Sequence, residues 1–185
     1  DAGTIRFDGR DVTRLGAAQR CRAGIARSYQ IPHPFGGLTV LENVLVGAVF
    51  GAGHGERAAR PLALRALERT GLADKANRLA GSLPLLDRKR LELARSLATE
   101  PKLLLLDEIA GGLTEHEVHA LLDTIRAIRA EGVTIVWIEH IVHALLAIVD
   151  RLVALDFGRM ITQGEPHAVM ADAAVREIYM GIDVE

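Results

Sequence analysis

Leu103-Leu104-Leu105-Leu106-Asp107-Glu108 is a short apolar run closed by two carboxylates. An unbroken apolar stretch of this length predicts a parallel strand over residues 102–106, covered on both faces. Downstream, Thr114-Glu115-His116-Glu117 reads as a capping box, in which Thr114 caps the Glu117 N–H and Glu117 reaches back to Thr114. The helix it starts is expected to run to Gly132, which suits a left-handed C′ position. Residues 133–138 read as a second buried strand, and 142–149 as a further helix. Strand, helix, strand, helix in this order predicts a right-handed crossover and a parallel sheet, hence an α/β fold.

Upstream, residues 4–12 alternate apolar and polar side chains around Asp8-Gly9 and predict a β-hairpin. Residues 25–30 read as a strand closed by Ile31-Pro32-His33-Pro34. A helical pattern over 38–72 is broken by Gly51-Ala52-Gly53-His54-Gly55. Pro61 is expected early in the next helix, where a missing N–H costs little. Leu91, Ala94, Leu97 and Ala98 mark one buried face of a helix over 87–99. Residues 151–155 and 159–163 flank Phe157-Gly158 as a terminal hairpin, and 166–180 are expected to be helical.

The chain has 185 residues, Lys+Arg 22 against Asp+Glu 24, and a formal net charge of −2. That balance argues against a constitutive nucleic-acid or anionic-membrane surface. Arg20, Arg22 and Arg27 are too few and too dispersed to alter it. At 49% hydrophobic and 25% charged residues the chain reads as globular. Aromatics make up only 4%, so the core must be built from Leu, Val, Ile and Ala. The single cysteine, Cys21, excludes an internal disulfide and fits a reducing compartment. No apolar run approaches the roughly 20 residues of a membrane-spanning helix. The opening Asp1-Ala2-Gly3 has neither initiator Met nor signal peptide and reads as the interior of a longer sequence.

In a parallel α/β sheet, ligands bind outside the carboxyl ends of the strands. Asp107 and Glu108 stand at the end of one expected strand, and Glu139-His140 at the end of the next. Asp107 suits Mg²⁺, which takes oxygen ligands and usually one or two protein carboxylates. Glu108 is then free to orient or deprotonate a water, and His140 to donate to a phosphate oxygen. Taken alone, an acidic pair after a strand is also ordinary solvated turn chemistry, and the histidine a loop residue. On adjacent strand-end loops they point together to a nucleotide site. His116 and His119 share a helical neighbourhood but lack a third ligand for zinc.

These residues carry a family resemblance. Leu103-Leu104-Leu105-Leu106-Asp107-Glu108 resembles the Walker B strand of ATP-binding cassette (ABC) ATPases, and Ile138-Glu139-His140 resembles their switch-histidine loop. Ala26-Arg27-Ser28-Tyr29-Gln30 is similar to the Q-loop, and Leu91-Glu92-Leu93-Ala94-Arg95 to the helix after the signature motif. Gly3-Thr4-Ile5-Arg6-Phe7-Asp8-Gly9 resembles the hairpin after the phosphate loop. Pro34-Phe35, the segment Leu38-Thr39-Val40-Leu41-Glu42-Asn43-Val44 and the ending Ile178-Tyr179-Met180-Gly181 resemble the subunits serving branched-chain amino acid importers.

The resemblance implies a P-loop NTPase-like parallel sheet with a helical subdomain, truncated at its N-terminus. Residues 38–100 would form the helical subdomain, and 1–37 with 101–185 the remnant of the nucleotide-binding core. ATP and Mg²⁺ would be the ligands, with Asp107 and Gln30 at the metal, Glu108 the catalytic base and His140 the sensor of the γ-phosphate. Gln30 would move with the segment that contacts transmembrane permease subunits, and a second ABC ATPase subunit would complete the dimer. The protein would sit at the cytoplasmic face of the membrane through those permeases.

Two departures stand out. No Gly-x-x-x-x-Gly-Lys-Ser/Thr occurs, so the phosphate cradle of a P-loop is absent from these residues; the chain as given is expected not to hold ATP tightly. The signature resembles Leu-Ser-Gly-Gly-Gln only in position: it is Leu83-Pro84-Leu85-Leu86-Asp87. Pro84 has no hydroxyl or N–H to give a phosphate, Leu85 and Leu86 bring bulk where glycine permits close approach, and Asp87 is expected to put negative charge there. Leu83 to Leu86 packing beneath the helix is the competing reading. Ile109 stands where the family usually has Pro, and Gly111-Gly112-Leu113-Thr114 replaces a loop that commonly ends in Asp or Asn. The alternative to an importer ATPase is therefore a catalytically degenerate, cassette-shaped regulatory or binding subunit; a cassette protein acting on nucleic acid or ribosomes is a third.

Overall fold

Asp8 and Gly9 both lie in the left-handed region, at φ 50 and 77, which matches a type I′ turn to the twist of the two strands it joins. They connect β1 (Arg6–Phe7) to β2 (Arg10–Asp11) as an antiparallel pair. The computed structural model describes residues 2–180. The chain divides into two compact units, Asp1–His140 and Ile141–Glu185.

In the first unit, α1 (Ala17–Arg22) leads into β3 (Ile25–Arg27), which pairs in parallel with β4 (Leu103–Asp107). β4 pairs in parallel with β5 (Thr134–Ile138), giving the order β3-β4-β5. The connection from β4 to β5 is α5 (Glu115–Ala130), capped at both ends. Thr114 Oγ1 accepts from Glu117 N–H, the Glu117 carboxylate accepts from Thr114 N–H at 2.9 Å, and Gly132 follows at φ 89. Its Val118, Leu121, Leu122, Ile125 and Ile128 form the buried stripe, recurring at three- and four-residue steps.

Between β3 and β4 the chain is helical: α2 (Val40–Val46), a π turn over Gly47–Gly51, α3 (Glu56–Arg69) and α4 (Leu85–Leu97), with 3₁₀ turns at Ala73–Lys75 and Ala80–Ser82. Its whole length, 38–100, lies within the first unit. α2 packs on both α3 and α4. The approach at Gly47 is close, since a Cβ there would stand 2.4 Å from the Arg95 carbonyl oxygen of α4.

Several local expectations need correcting. β3 stops at Arg27 rather than running to Gln30, because beyond Ser28, whose N–H still reaches Leu105 O, the chain turns toward the ends of its neighbours. Pro61 is the sixth residue of α3, past the first turn, so its ring displaces a helical hydrogen bond. α4 begins two residues before 87, with Pro84 as N-cap. β5 is not buried on both faces: Val136 and Ile138 are 50% and 64% exposed, and β5 ends the strand order.

The second unit begins with α6 (Val142–Leu146), followed by the antiparallel pair β6 (Leu152–Asp156) and β7 (Arg159–Gly164). Phe157 and Gly158 turn between them with φ 42 and 78. α7 (Pro166–Ala171) and α8 (Ala173–Met180) are two helices instead of one, divided at extended Asp172, whose carboxylate accepts the Ala174 N–H. The Glu165 carboxylate caps α7 by accepting the His167 and Ala168 N–H groups. Ala154, Val169 and Val175 form the unit's small core. Gly181, part of the resemblance at the chain's end, lies outside the described residues. Among the described residues no helix is long and apolar enough to cross a membrane.

Candidate functional site

Because β3, β4 and β5 are parallel, their carboxyl ends share one rim. The β4–β5 ladder continues one step past Asp107: Glu108 N–H donates to Ile138 O at 2.9 Å. Glu108 then takes φ 44, a left-handed conformation uncommon for a residue with a side chain and a form of strain that clusters at functional sites. From there its carboxylate meets groups from both neighbouring strands. Gln30 Nε2, beyond β3, donates to Glu108 Oε2 at 2.5 Å, and His140 Nδ1, beyond β5, lies 3.7 Å from the same oxygen. The two side chains of the Glu108–His140 pair are 34% and 62% exposed, so the contact is open to solvent and to a ligand.

Asp107 Oδ2 is met by the Arg27 guanidinium at 2.7 Å, and that guanidinium lies over the Tyr29 ring at 5.0 Å. In this water-accessible setting the ion pair contributes little stability, about 0–1 kcal/mol. Asp107 is therefore available to exchange its partner.

Beneath the exposed groups lies a sealed one. The Glu139 side chain is 0% exposed. It accepts from Ala110 N–H at 3.1 Å and from His140 N–H at 3.0 Å, and lies 3.2 Å from His140 Nδ1. Lys89 of α4, 5% exposed, donates to Gln30 O at 3.4 Å. Burial pulls the Lys89 pKa below the ordinary lysine value, and the negative charge of Glu139 pulls it partly back.

The signature segment lies apart in role. Leu83 is buried and its carbonyl accepts from Arg88 Nε at 2.7 Å, whereas Pro84 and Leu85 are exposed. Leu85 Cδ2 stands 3.3 Å from where a Cβ on Gly112 would be, so this loop abuts the one that follows Glu108. Leu86 is half-buried. Asp87 differs from expectation: its side chain is buried and paired with Lys75 Nζ at 2.7 Å, so its charge is neutralised inside the protein instead of facing a phosphate.

The donors at the rim fit the terminal-phosphate end of a nucleotide with Mg²⁺. Asp107 and Glu108 offer carboxylate oxygens, and Gln30 an amide oxygen; Mg²⁺ asks for no more than one or two protein carboxylates beside water and phosphate. Among the described residues no three or more His, Cys, Asp or Glu stand together as a metal cage. The glycine loop and lysine that take a β-phosphate in a Gly-x-x-x-x-Gly-Lys-Ser/Thr motif do not occur in the sequence.

Sequence reasoning missed Lys89, Arg27 and Lys75. The spacing of α4 gave a signal for one: Lys89 lies on the same face as Leu93 and Ser96, among the helix's buried residues. Arg27 and Lys75 find their carboxylates only through the tertiary fold, across 80 and 12 positions.

Comparison with known proteins identifies the family. The profile of the ABC transporter family matches residues 1–111. The high-affinity branched-chain amino acid transport ATP-binding protein BraF of Pseudomonas aeruginosa is 34% identical, over 97% of this chain and 76% of its own length. The corresponding LivG protein of Salmonella typhimurium is 33% identical, over 97% and 76%. Among solved structures, an ATP-binding cassette of an ABC transporter in its ADP conformation superposes with a TM-score of 0.88 at 30% identity, covering 98% of this chain and 78% of that one. A nucleotide-free ATP-binding cassette gives 0.87 at 29% identity over the same shares. With sequence match and cassette fold in agreement, the chain belongs to the ABC transporter family, as an ATP-binding cassette.

Proposed function

We propose that this chain is the ATP-hydrolysing subunit of an ABC importer for branched-chain amino acids or similar small solutes. The observation that carries the reading is the meeting of Gln30 and His140 on one oxygen of Glu108, at 2.5 and 3.7 Å. Glu108 acts as general base toward the water that attacks the γ-phosphate; Gln30 orients that carboxylate and the water; His140 donates to the phosphate oxygens as charge develops there. Mg²⁺, held through Asp107 and Gln30, would supply charge neutralisation between the phosphates. The solute class is supported by the relatives' names, since BraF and LivG are branched-chain amino acid transport ATP-binding proteins.

The phosphate cradle comes from outside these 185 residues, which contain no Gly-x-x-x-x-Gly-Lys-Ser/Thr. The chain alone is therefore inactive, and the working unit is a dimer of cassettes docked on transmembrane permease subunits. Tyr29, Ile31 and Phe35, close in sequence to Gln30, are exposed apolar side chains of the kind such a partner would cover. Calorimetric titration with Mg-ATP tests this. The chain alone should bind more weakly than about 1 mM, and a chain preceded by a phosphate loop much more tightly. Turnover that appears only with the loop and rises with the permease is expected.

A second reading has its own observation. Exposed Pro84 and Leu85 stand where a signature would present a hydroxyl and glycine backbone, which suits a cassette that binds nucleotide and leaves hydrolysis to a partner. Tight Mg-ATP binding by the loop-bearing protein, with no turnover alone or on the permease, would select it.

A further inference from the structure

Directly after Gln30 runs Ile31-Pro32-His33-Pro34-Phe35, and its backbone is held by an ion pair. Glu92 of α4, 7% exposed, accepts the His33 N–H at 3.1 Å and pairs with Arg95 Nη1 at 2.8 Å. The same Arg95 nitrogen donates to His33 O at 3.1 Å, so the pair takes both backbone groups of His33. The Arg95 guanidinium also lies over the Phe35 ring at 5.0 Å. Phe35 is fixed from α2 as well: the buried Asn43 side chain accepts its N–H at 2.8 Å and donates to its carbonyl at 3.1 Å. An i, i+3 pair on a helix is commonly a solvated contact of small worth. Here the Glu92 side chain is nine-tenths buried, and both partners direct charge-assisted hydrogen bonds to the backbone of another segment.

We infer that Glu92 and Arg95 are positioning residues for Gln30, setting through His33 where the Gln30 amide meets the Glu108 carboxylate. Only Ile31 and Pro32 separate Gln30 from His33, and that path is stiff. Pro32 and Pro34 have a fixed φ, and Ile31 and His33, each preceding a proline, are biased to extended backbone. A shift at His33 is therefore passed on to Gln30 instead of being absorbed between them. The bond from Lys89 Nζ to Gln30 O is longer, at 3.4 Å, which leaves the tighter hold at His33. The inference rests on the hydrolytic reading above for its consequence in turnover; the clamp on His33 does not depend on it.

The test compares Glu92→Leu with the conservative Glu92→Gln, which keeps an oxygen for the His33 N–H. In the 185-residue chain, followed by NMR, the His33 amide should exchange about 10-fold faster in Glu92→Leu and within about 3-fold of wild type in Glu92→Gln. The Gln30 side-chain amide resonances should move in Glu92→Leu toward their positions in Glu108→Ala, where that amide has lost its acceptor. Unchanged exchange at His33 would overturn the clamp, and faster exchange there with the Gln30 resonances unmoved would overturn the positioning. If Glu92→Leu fails to fold, Arg95→Met, which removes the donor to His33 O, should move the Gln30 resonances in the same way. Failure of both to fold would make the pair purely structural and overturn the inference. In the loop-bearing protein, Glu92→Leu should lower kcat by about 10-fold with KM for ATP within about twofold. In a Gln30→Ala background it should lower kcat by less than about twofold further, because the side chain it acts through is gone; equal losses in the two backgrounds would overturn the inference. A wild-type protein without turnover would overturn the hydrolytic reading, and the resonances of the 185-residue chain would still decide the positioning, which keeps the two failures apart.

Discussion

Gln30 Nε2 donates to Glu108 Oε2 at 2.5 Å across 78 positions of sequence, joining the loop beyond β3 to the turn beyond β4 by one side-chain contact. The contact is exposed and orients a carboxylate whose other neighbour is His140. Gln30→Ala should therefore leave the melting temperature nearly unchanged, because little is buried there. Turnover in the loop-bearing protein should fall by about 10²-fold, the scale of a misplaced catalytic group. Thermal denaturation and an ATPase assay on the same preparation check both halves.

Two helices begin with the same reciprocal cap. Thr39 with Glu42 opens α2, and Thr114 with Glu117 opens α5. Thr39→Ala and Thr114→Ala should each cost about 1 kcal/mol in urea unfolding.

The caps also set a pH dependence. In both boxes the threonine N–H, and then its hydroxyl, hold the glutamate below the ordinary carboxylate range. A depressed folded value means stability that is present at neutral pH and lost as pH falls through that value. The stability difference between wild type and Glu117→Gln should accordingly shrink as pH is lowered from 7 to about 3. Urea midpoints across that interval measure it; a constant difference would show that the carboxylate charge adds nothing to the cap.

Gly47→Ala should destabilise by about 1–3 kcal/mol. The added methyl meets the Arg95 carbonyl oxygen at 2.4 Å, and backbone gives way only by parting α2 from α4. The urea midpoint should drop.

Lys75→Met strips the buried Asp87 carboxylate of its partner at 2.7 Å. A loss of about 1–3 kcal/mol is expected, and Asp87→Asn in the same chain should restore most of it. A single variant as stable as wild type would mean that Asp87 is satisfied elsewhere.

What could be read from the amino acids followed physical locality. The apolar run before Asp107 and the Thr114 box gave β4 and α5 because strand pattern and helix cap are each written within a few neighbouring residues. The parallel order of β4 and β5 followed from the single helix between them. The Thr39 box had the same signal, Thr-x-x-Glu before an apolar stretch, and passed without being read as a cap. β5 was misjudged as buried because an apolar run does not reveal whether a strand ends the sheet. The places of Asp107, Glu108 and His140 at strand ends were legible in the sequence, and the fold brings Glu108 and His140 to 3.7 Å. The inward turn of Asp87 toward Lys75, and Lys89 beneath Gln30, were not, because such partners are chosen by packing between α4 and distant loops.

The most direct measurement of the central claim is single-turnover ATP hydrolysis by the loop-bearing protein with Glu108→Gln, beside Mg-ATP affinity from calorimetry. The account predicts affinity within about threefold of wild type and hydrolysis slowed at least about 10²-fold, since the amide keeps the shape and cannot take the proton. Hydrolysis at the wild-type rate would contradict it.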